Sequence, residues 1–412
     1  MKKLNILIIS SVLPYPLNNG GAQAQFHIID NLRDRANISM LVIIHKNMNT
    51  QENLEALKLV WPDVTFIPFY SDWKDYDFIT ILNKIKLKIT SIFGLKTDQS
   101  KRLGEMSGDF YTDKFLTFVQ NNVNENHYDI IQTEFYPFMG LIYSINSKAK
   151  KIFIQHEINF VKNEILMDIY PASKYEQYLY NKNRLFEIAT MNEYDAIVAL
   201  TEVDRLKLIE SGVSTQIYSS PGGIKVNAIE NLDFEFNNKI VFLGGYQHYP
   251  NADAVDWYLS DIWEKTLLKN PLLELHIVGI WPKNIIKNYE KKYRKVFFHG
   301  FVPDLSEILS NSIVIVPLRI GSGMRMKIIE AVNYACPVVT TSVGVEGLDF
   351  MDGVDCIIRD EPDSLAIEIA ELSLNPIKQK ELIQNAKNTF DENYSIDKLS
   401  QKRFSIYNSL IN

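Results

Sequence analysis

Residues 313–332 read Ile-Val-Ile-Val-Pro-Leu-Arg-Ile-Gly-Ser-Gly-Met-Arg-Met-Lys-Ile-Ile-Glu-Ala-Val. The first four form a continuous apolar run, the pattern of a strand covered on both faces in a parallel sheet. Gly321 and Gly323 interrupt the chain, and apolar residues then return at helical spacing, so the segment reads as strand, glycine turn and helix. The same unit recurs in both directions. Upstream lie the runs Leu4 to Ile9, Ile38 to Ile44, Val64 to Phe69, Ile130 to Thr133, Ile152 to Gln155 and Ala196 to Leu200. The pattern breaks at Ser219-Ser220-Pro221-Gly222-Gly223 and restarts with Ile240 to Leu243, Leu273 to Val278, Val296 to His299, Ile313 to Val316 and Pro337 to Thr341. This predicts two doubly wound α/β domains. One comprises residues 1–221 plus 395–412, where the tail returns in a helical pattern; the other comprises residues 222–394. We expect them to face each other across a cleft, with function in the loops after the strand ends.

Composition agrees with this division. At about 150 residues per domain, 412 residues accommodate two or three domains, and 46% hydrophobic content supplies each with a core. Lys+Arg 43 against Asp+Glu 50 gives a net charge of −7, which opposes a nucleic-acid partner. Cys336 and Cys356 are too few and too far apart for a disulfide framework or a zinc pair. The start, MKKLNILIISSVLP, has a basic end and an apolar stretch like a secretory signal. Asn5, Ser10 and Ser11 interrupt it, and Pro14, Pro16 and residues 18–21 suit a loop between strand and helix. No apolar run reaches the roughly 18 residues of a membrane span. A cytoplasmic protein is expected. Ile81 to Phe93, with Lys84, Lys86 and Lys88 beside its apolar face and Lys96, Lys101 and Arg102 following, reads either as a helix docked on its own domain or as a peripheral membrane contact through 81–102.

Gly321 and Gly323 let backbone approach a ligand, and the helix start offers unpaired N–H groups with partial positive charge, which suits a phosphate. Arg325 and Lys327 add two cationic donors, enough for a diphosphate without a metal, and Glu330 can accept hydrogen bonds from a ribose diol. The plain alternative is an ordinary strand-to-helix turn with solvated charges. No P-loop and no GxGxxG fingerprint follows a predicted strand, which weakens ATPase and dehydrogenase readings.

Gly321-Ser-Gly-Met-Arg-Met-Lys-Ile-Ile-Glu-Ala, Cys336-Pro-Val-Val-Thr-Thr and Gly344-Val-Glu-Gly-Leu together resemble the donor-site signature of the family 4 (group 1) glycosyltransferases of GT-B fold. The resemblance also takes in Asn19-Gly20-Gly21-Ala22, Phe242-Leu-Gly-Gly-Tyr-Gln-His-Tyr-Pro-Asn251, Val278-Gly279 and Gly300-Phe-Val-Pro-Asp304. It implies two Rossmann-like domains. A UDP- or GDP-sugar donor is held mainly by the second, and a glycan, lipid-linked or protein acceptor mainly by the first. Transfer retains anomeric configuration and requires no cofactor or metal. The donor-binding residues it implies are Gly20, Gly21, Gly244, Gly321, Ser322, Gly323, Met324 and Glu330.

Two departures from that family stand out. Where it commonly has a first glutamate, eight positions before Glu330, this chain has Ser322. The loop Gly244-Gly245-Tyr246 to Asn251 carries no cation, so Arg325 and Lys327 are assigned the developing charge of the leaving diphosphate. His156, at the end of Lys151-Ile-Phe-Ile-Gln155, stands where the family has a histidine facing the donor sugar, and is assigned a catalytic role over a structural one. Glu134 and Tyr136 are weaker candidates for acceptor contact. Glu346 carries little information alone. Thr201, Glu202 and Asp204 suit helix capping as well as function, and Asp304 reads as a cap. The resulting expectation is a retaining glycosyltransferase in cell-surface polysaccharide or glycoconjugate synthesis. An NDP-sugar epimerase or isomerase and a catalytically inert GT-B partner or glycan-binding subunit are the alternatives.

Overall fold

A computed structural model describes residues 3–17, 20–45, 50–71, 111–223 and 234–411. The proposed basic helix at 81–102 and Asn19 lie outside the described residues. The chain divides into two compact units: Met1–Pro16, Ile28–Ser220 and Ser400–Asn412 form the first, Leu17–His27 and Pro221–Leu399 the second. The break falls between Ser220 and Pro221, the tail rejoins the first unit at Ser400, and a short early segment groups with the second unit.

The first unit holds seven strands: β1 (Leu4–Ser10), β2 (Ala36–His45), β3 (Thr65–Ser71), β4 (Ile130–Glu134), β5 (Lys150–Gln155), β6 (Ala196–Ala199) and β7 (Gln216–Ser219). They pair in the order β3-β2-β1-β4-β5-β6-β7, every pairing parallel. The second unit holds β8 (Lys239–Leu243), β9 (Glu274–Val278), β10 (Val296–Gly300), β11 (Ile313–Val316), β12 (Val338–Thr340) and β13 (Ile357–Ile358). Its order is β10-β9-β8-β11-β12-β13, again all parallel. Helices connect successive strands, and strands β4, β6 and β11 are buried at every residue; β6 and β11 are continuously apolar for that reason, while β4 buries Gln132, Thr133 and Glu134 at its carboxyl end.

All eleven expected strands are present to within a few residues. β7 and β13 were not expected: each is an outer strand, Gln216–Ser219 buries only Ile217 fully, and Ile357–Ile358 is two residues long. Neither carries the apolar run that marks a covered strand. Strand order reverses between β1 and β4 in the first sheet and between β8 and β11 in the second. Loops beyond the carboxyl ends of strands at such a switch point have helices leading away on both sides, leaving a crevice for a ligand. The loops after β8 and β11, and after β4 and its neighbour β5, hold most of the candidate site residues. No described helix is long and apolar enough to cross a membrane.

Candidate active site

In the second unit β11 leads into Pro317–Arg325, and the helix Met326–Asn333 follows. Gly321 takes φ +149°, and a Cβ there would lie 3.1 Å from the Arg325 Nη2, so the turn closes over its own arginine. Gly323 takes φ +78°, in the left-handed region where glycine is favoured. Arg325 occupies the cap position, is buried, and donates from Nη1 to the Gly323 carbonyl. Its guanidinium therefore props the turn from within. Ser322 and Met324 are also buried in the turn.

Lys327 lies in the first turn of that helix. Its Nζ donates to Asn251 Oδ1 at 2.7 Å and sits 4.6 Å from the centre of the Phe242 ring. Asn251, in the helix Tyr249–Trp257, donates in turn to the Gly245 carbonyl at 3.1 Å. The loop after β8 thus holds the lysine without supplying a cation. Gly244 is required there, because a Cβ would stand 2.6 Å from the Asn251 side chain. Trp281 Nε1 fixes the same loop by donating to the Gly244 carbonyl at 2.9 Å. Burial, and secondarily Arg325, pull the Lys327 ammonium down to about 7, with Glu330 opposing.

Glu330 accepts from Gln23 Nε2 at 3.0 Å. Burial raises its pKa above the usual carboxylate value, against the pull of Gln23 and Lys327. Gln23 belongs to the helix Gly20–Leu32, whose first residue packs on Met326: a Cβ at Gly20 would lie 3.2 Å from the Met326 Cβ. Gly20, Lys327 and Glu330 are therefore gathered around one helix start, with Gly21 next in the same first turn. Gln23 and Arg319 were not anticipated. Arg319, just after β11, clamps buried Asp253 through Nε to Oδ2 at 3.1 Å and Nη2 to Oδ1 at 2.7 Å, and stacks over Trp257.

In the first unit, β4 ends at Glu134 and β5 at Gln155, side by side in register. Glu134 is 3% exposed, and its Oε2 lies 2.9 Å from His156 Nε2. Phe135, held at φ +66°, stacks on the imidazole with centroids 3.9 Å apart. Residues assigned separate roles in the sequence thus form one pair. Tyr136 points elsewhere: it packs on the core cluster around Met139 and Phe153, its hydroxyl is buried without a hydrogen-bond partner, and burial raises its pKa. Behind the pair, Glu187 is fully buried and accepts from Gln155 Nε2 at 3.0 Å and from the amides of Asn159 and Phe160 at 3.2 and 3.1 Å. It caps the helix Asn159–Ile169, whose own cap residue, Ile158, supplies no side-chain bond. Burial pushes its carboxyl up to about 7.

Two of the remaining candidates accept from amides at helix starts. Thr201 accepts from the Asp204 amide at 3.0 Å, and Asp304 from the Ser306 amide at 2.9 Å. Glu346 directly follows the short helix Ser342–Val345.

Residues 237–375, which contain the whole glycine turn, match the family described as "Glycosyl transferases group 1". The chain is 28% identical over 181 residues to an uncharacterized 44.6 kDa protein of the cps region of Klebsiella pneumoniae, covering 42% of this chain and 46% of that one. It is 24% identical over 238 residues to the poly(ribitol-phosphate) alpha-N-acetylglucosaminyltransferase of Staphylococcus aureus (strain COL), covering 56% and 47%. The chain thus spans about half the length of the curated relatives it matches. Among solved structures, TarM superposes with a TM-score of 0.71 at 16% identity, covering 99% of both chains. HepE of Anabaena, in complex with UDP and glucose, superposes at 0.68 and 14% identity, covering 98% of this chain and all of that one. These likenesses show the fold, GT-B, with two Rossmann-like domains.

Proposed function

We propose that the chain is a retaining glycosyltransferase of family 4 that moves a sugar from a UDP- or GDP-sugar to a hydroxyl of a surface polymer, a polysaccharide or polyol-phosphate chain. The observation that carries this reading is the helix start Gly321–Lys327 at the switch point of the second sheet. Lys327 lies in its first turn behind a glycine turn braced by Arg325, with Glu330 about a turn further on, inside the segment that matches the group 1 family. HepE was solved with UDP and glucose, and the name of the S. aureus relative specifies an alpha linkage, the outcome of retention from an α-linked donor.

In this reading the diphosphate rests on the helix start, where Lys327 and the turn amides meet the charge that develops as the bond from C1 to the diphosphate oxygen breaks. Glu330, fixed by Gln23, accepts hydrogen bonds from the ribose diol. The acceptor hydroxyl adds to C1 on the face the diphosphate leaves, and its proton passes to the departing phosphate oxygen. No side-chain base is needed for that step. This accommodates Ser322, which contributes a hydroxyl where a carboxylate is usual. In this reading His156, just after β5, hydrogen-bonds a substrate hydroxyl. Incubation with a panel of UDP-, GDP- and TDP-sugars and polymer acceptors tests the reading: release of nucleoside diphosphate must depend on acceptor, and the product's anomeric coupling must match the donor's. Conversion of donor without release would instead identify an isomerase, and binding without turnover an inert partner.

A further inference from the structure

The Glu134–His156 pair ends a longer hydrogen-bond chain within the first unit. Tyr407, on the C-terminal helix Ile396–Ile411, is fully buried and donates its hydroxyl to Gln132 Oε1. Gln132 Nε2 donates to Glu134 Oε1 at 2.5 Å, and Glu134 Oε2 meets His156 Nε2 at 2.9 Å. Arg403, one turn before Tyr407 and 2% exposed, anchors that helix by donating to Ser220 Oγ and to the Ser220 carbonyl, both at 3.1 Å.

Directions along this chain follow from what each group can do. The Tyr407 hydroxyl has a single proton, and it goes to the Gln132 carbonyl oxygen. The Gln132 carbonyl is thereby turned toward Tyr407 and its amide group toward Glu134. A carboxylate has acceptors only, so Oε2 takes the hydrogen bond that His156 donates from Nε2–H. The neutral ring then has its lone pair on Nδ1. Among the described residues Nδ1 makes no hydrogen bond, while the ring keeps 11% of its surface exposed and stacks on Phe135.

We propose that Arg403, Tyr407, Gln132 and Glu134 are positioning residues that lock His156 as the Nε2–H tautomer, making Nδ1 a hydrogen-bond acceptor for a substrate hydroxyl. The tail helix then contributes to the site as well as to the fold: it carries Tyr407, which sets the direction of the chain, and Arg403, which anchors the helix to Ser220. The tautomer assignment stands on geometry alone. Only its catalytic consequence rests on the transferase reading.

The test is side-chain 15N NMR of the full chain labelled with [15N]histidine. The chain has seven histidines, and the His156 signals are those lost in His156→Gln. Wild type at pH 7.5 is expected to show an unprotonated Nδ1 and a protonated Nε2. Glu134→Gln is expected to mix the tautomers, since an amide can present either oxygen or N–H to Nε2. Tyr407→Phe is expected to do so more weakly, by freeing Gln132 to rotate, and it carries the test if Glu134→Gln fails to fold. Protonated Nδ1 in wild type, as the other tautomer or as imidazolium, overturns the proposal. So does an unchanged tautomer in both variants. Where a donor is turned over, Glu134→Gln should lower kcat about 10²-fold, the scale of a misplaced acid–base group, with donor KM changed by less than about threefold. A correct tautomer with no turnover of any donor would overturn the transferase reading and leave this proposal standing; turnover with the wrong tautomer would do the reverse.

Discussion

Raising pH should weaken nucleoside diphosphate binding through Lys327. In the ligand-free chain burial and Arg325 hold this ammonium at about 7. A bound diphosphate supplies the anion that restores its charge, so the ligand binds the protonated form and raises the lysine's pKa. The sign follows: the contribution is fully present below pH 7 and is lost as pH rises through it, because each binding event must then take up a proton. At pH 8.5 roughly 3% of the lysine remains charged, so affinity should fall about 30-fold from its plateau, or about 2 kcal/mol at roughly 1.36 kcal/mol per pH unit. The ligand's own terminal phosphate titrates near pH 6 and adds little of this slope above pH 7. Calorimetry with UDP and GDP from pH 6 to 9, in buffers of differing ionisation enthalpy, measures both the affinity and the proton uptake. Lys327→Met should bind more weakly at pH 6.5 and show a flat profile. A flat profile in wild type, or an unchanged slope in Lys327→Met, would refute the assignment.

Three further outcomes follow from the same geometry. Gly244→Ala places a methyl 2.6 Å from the Asn251 side chain, so it should release Lys327 from Asn251 and weaken nucleotide binding while thermal unfolding shifts little; unchanged affinity by calorimetry would contradict this. Glu187 should make the first unit less stable as pH rises: between about 4.5 and 7 the unfolded carboxyl releases its proton while the folded one keeps it, a loss of up to about 3 kcal/mol by pH 7. Glu187→Gln should flatten the dependence of Tm on pH across that window. Arg319→Met removes the bidentate partner of buried Asp253 and should destabilise the second unit by about 3 kcal/mol in denaturant titrations; a change below 1 kcal/mol would mean that Asp253 is satisfied elsewhere.

What the sequence revealed depended on how far apart in the chain the relevant residues lie. Strands covered on both faces announce themselves as apolar runs, so the two sheets were legible, while β7 and β13 lacked that pattern. The turn Gly321–Lys327 was legible because its glycines, cations and helix start are contiguous. Arg325 looked like a ligand contact by type, but in the structure its guanidinium turns back on the Gly323 carbonyl, a choice made by local packing that composition does not encode. Gln23 with Glu330, and Tyr407 with Gln132, join residues about three hundred positions apart through single hydrogen bonds. Such pairs leave no periodicity or spacing to detect. Glu134 and His156 each end a strand, yet their pairing depends on β4 and β5 being neighbours in register, which only the fold supplies.

The central claim is transfer of a sugar from a nucleoside diphosphate donor, and the most direct measurement follows a labelled sugar and the nucleotide together. With a donor labelled in its sugar and a polymer acceptor, one label should enter the polymer for each nucleoside diphosphate released, and Lys327→Met should lower both rates equally. Label that stays in the nucleotide sugar while its configuration changes, or nucleotide release that does not depend on acceptor and leaves the polymer unlabelled, would contradict the account.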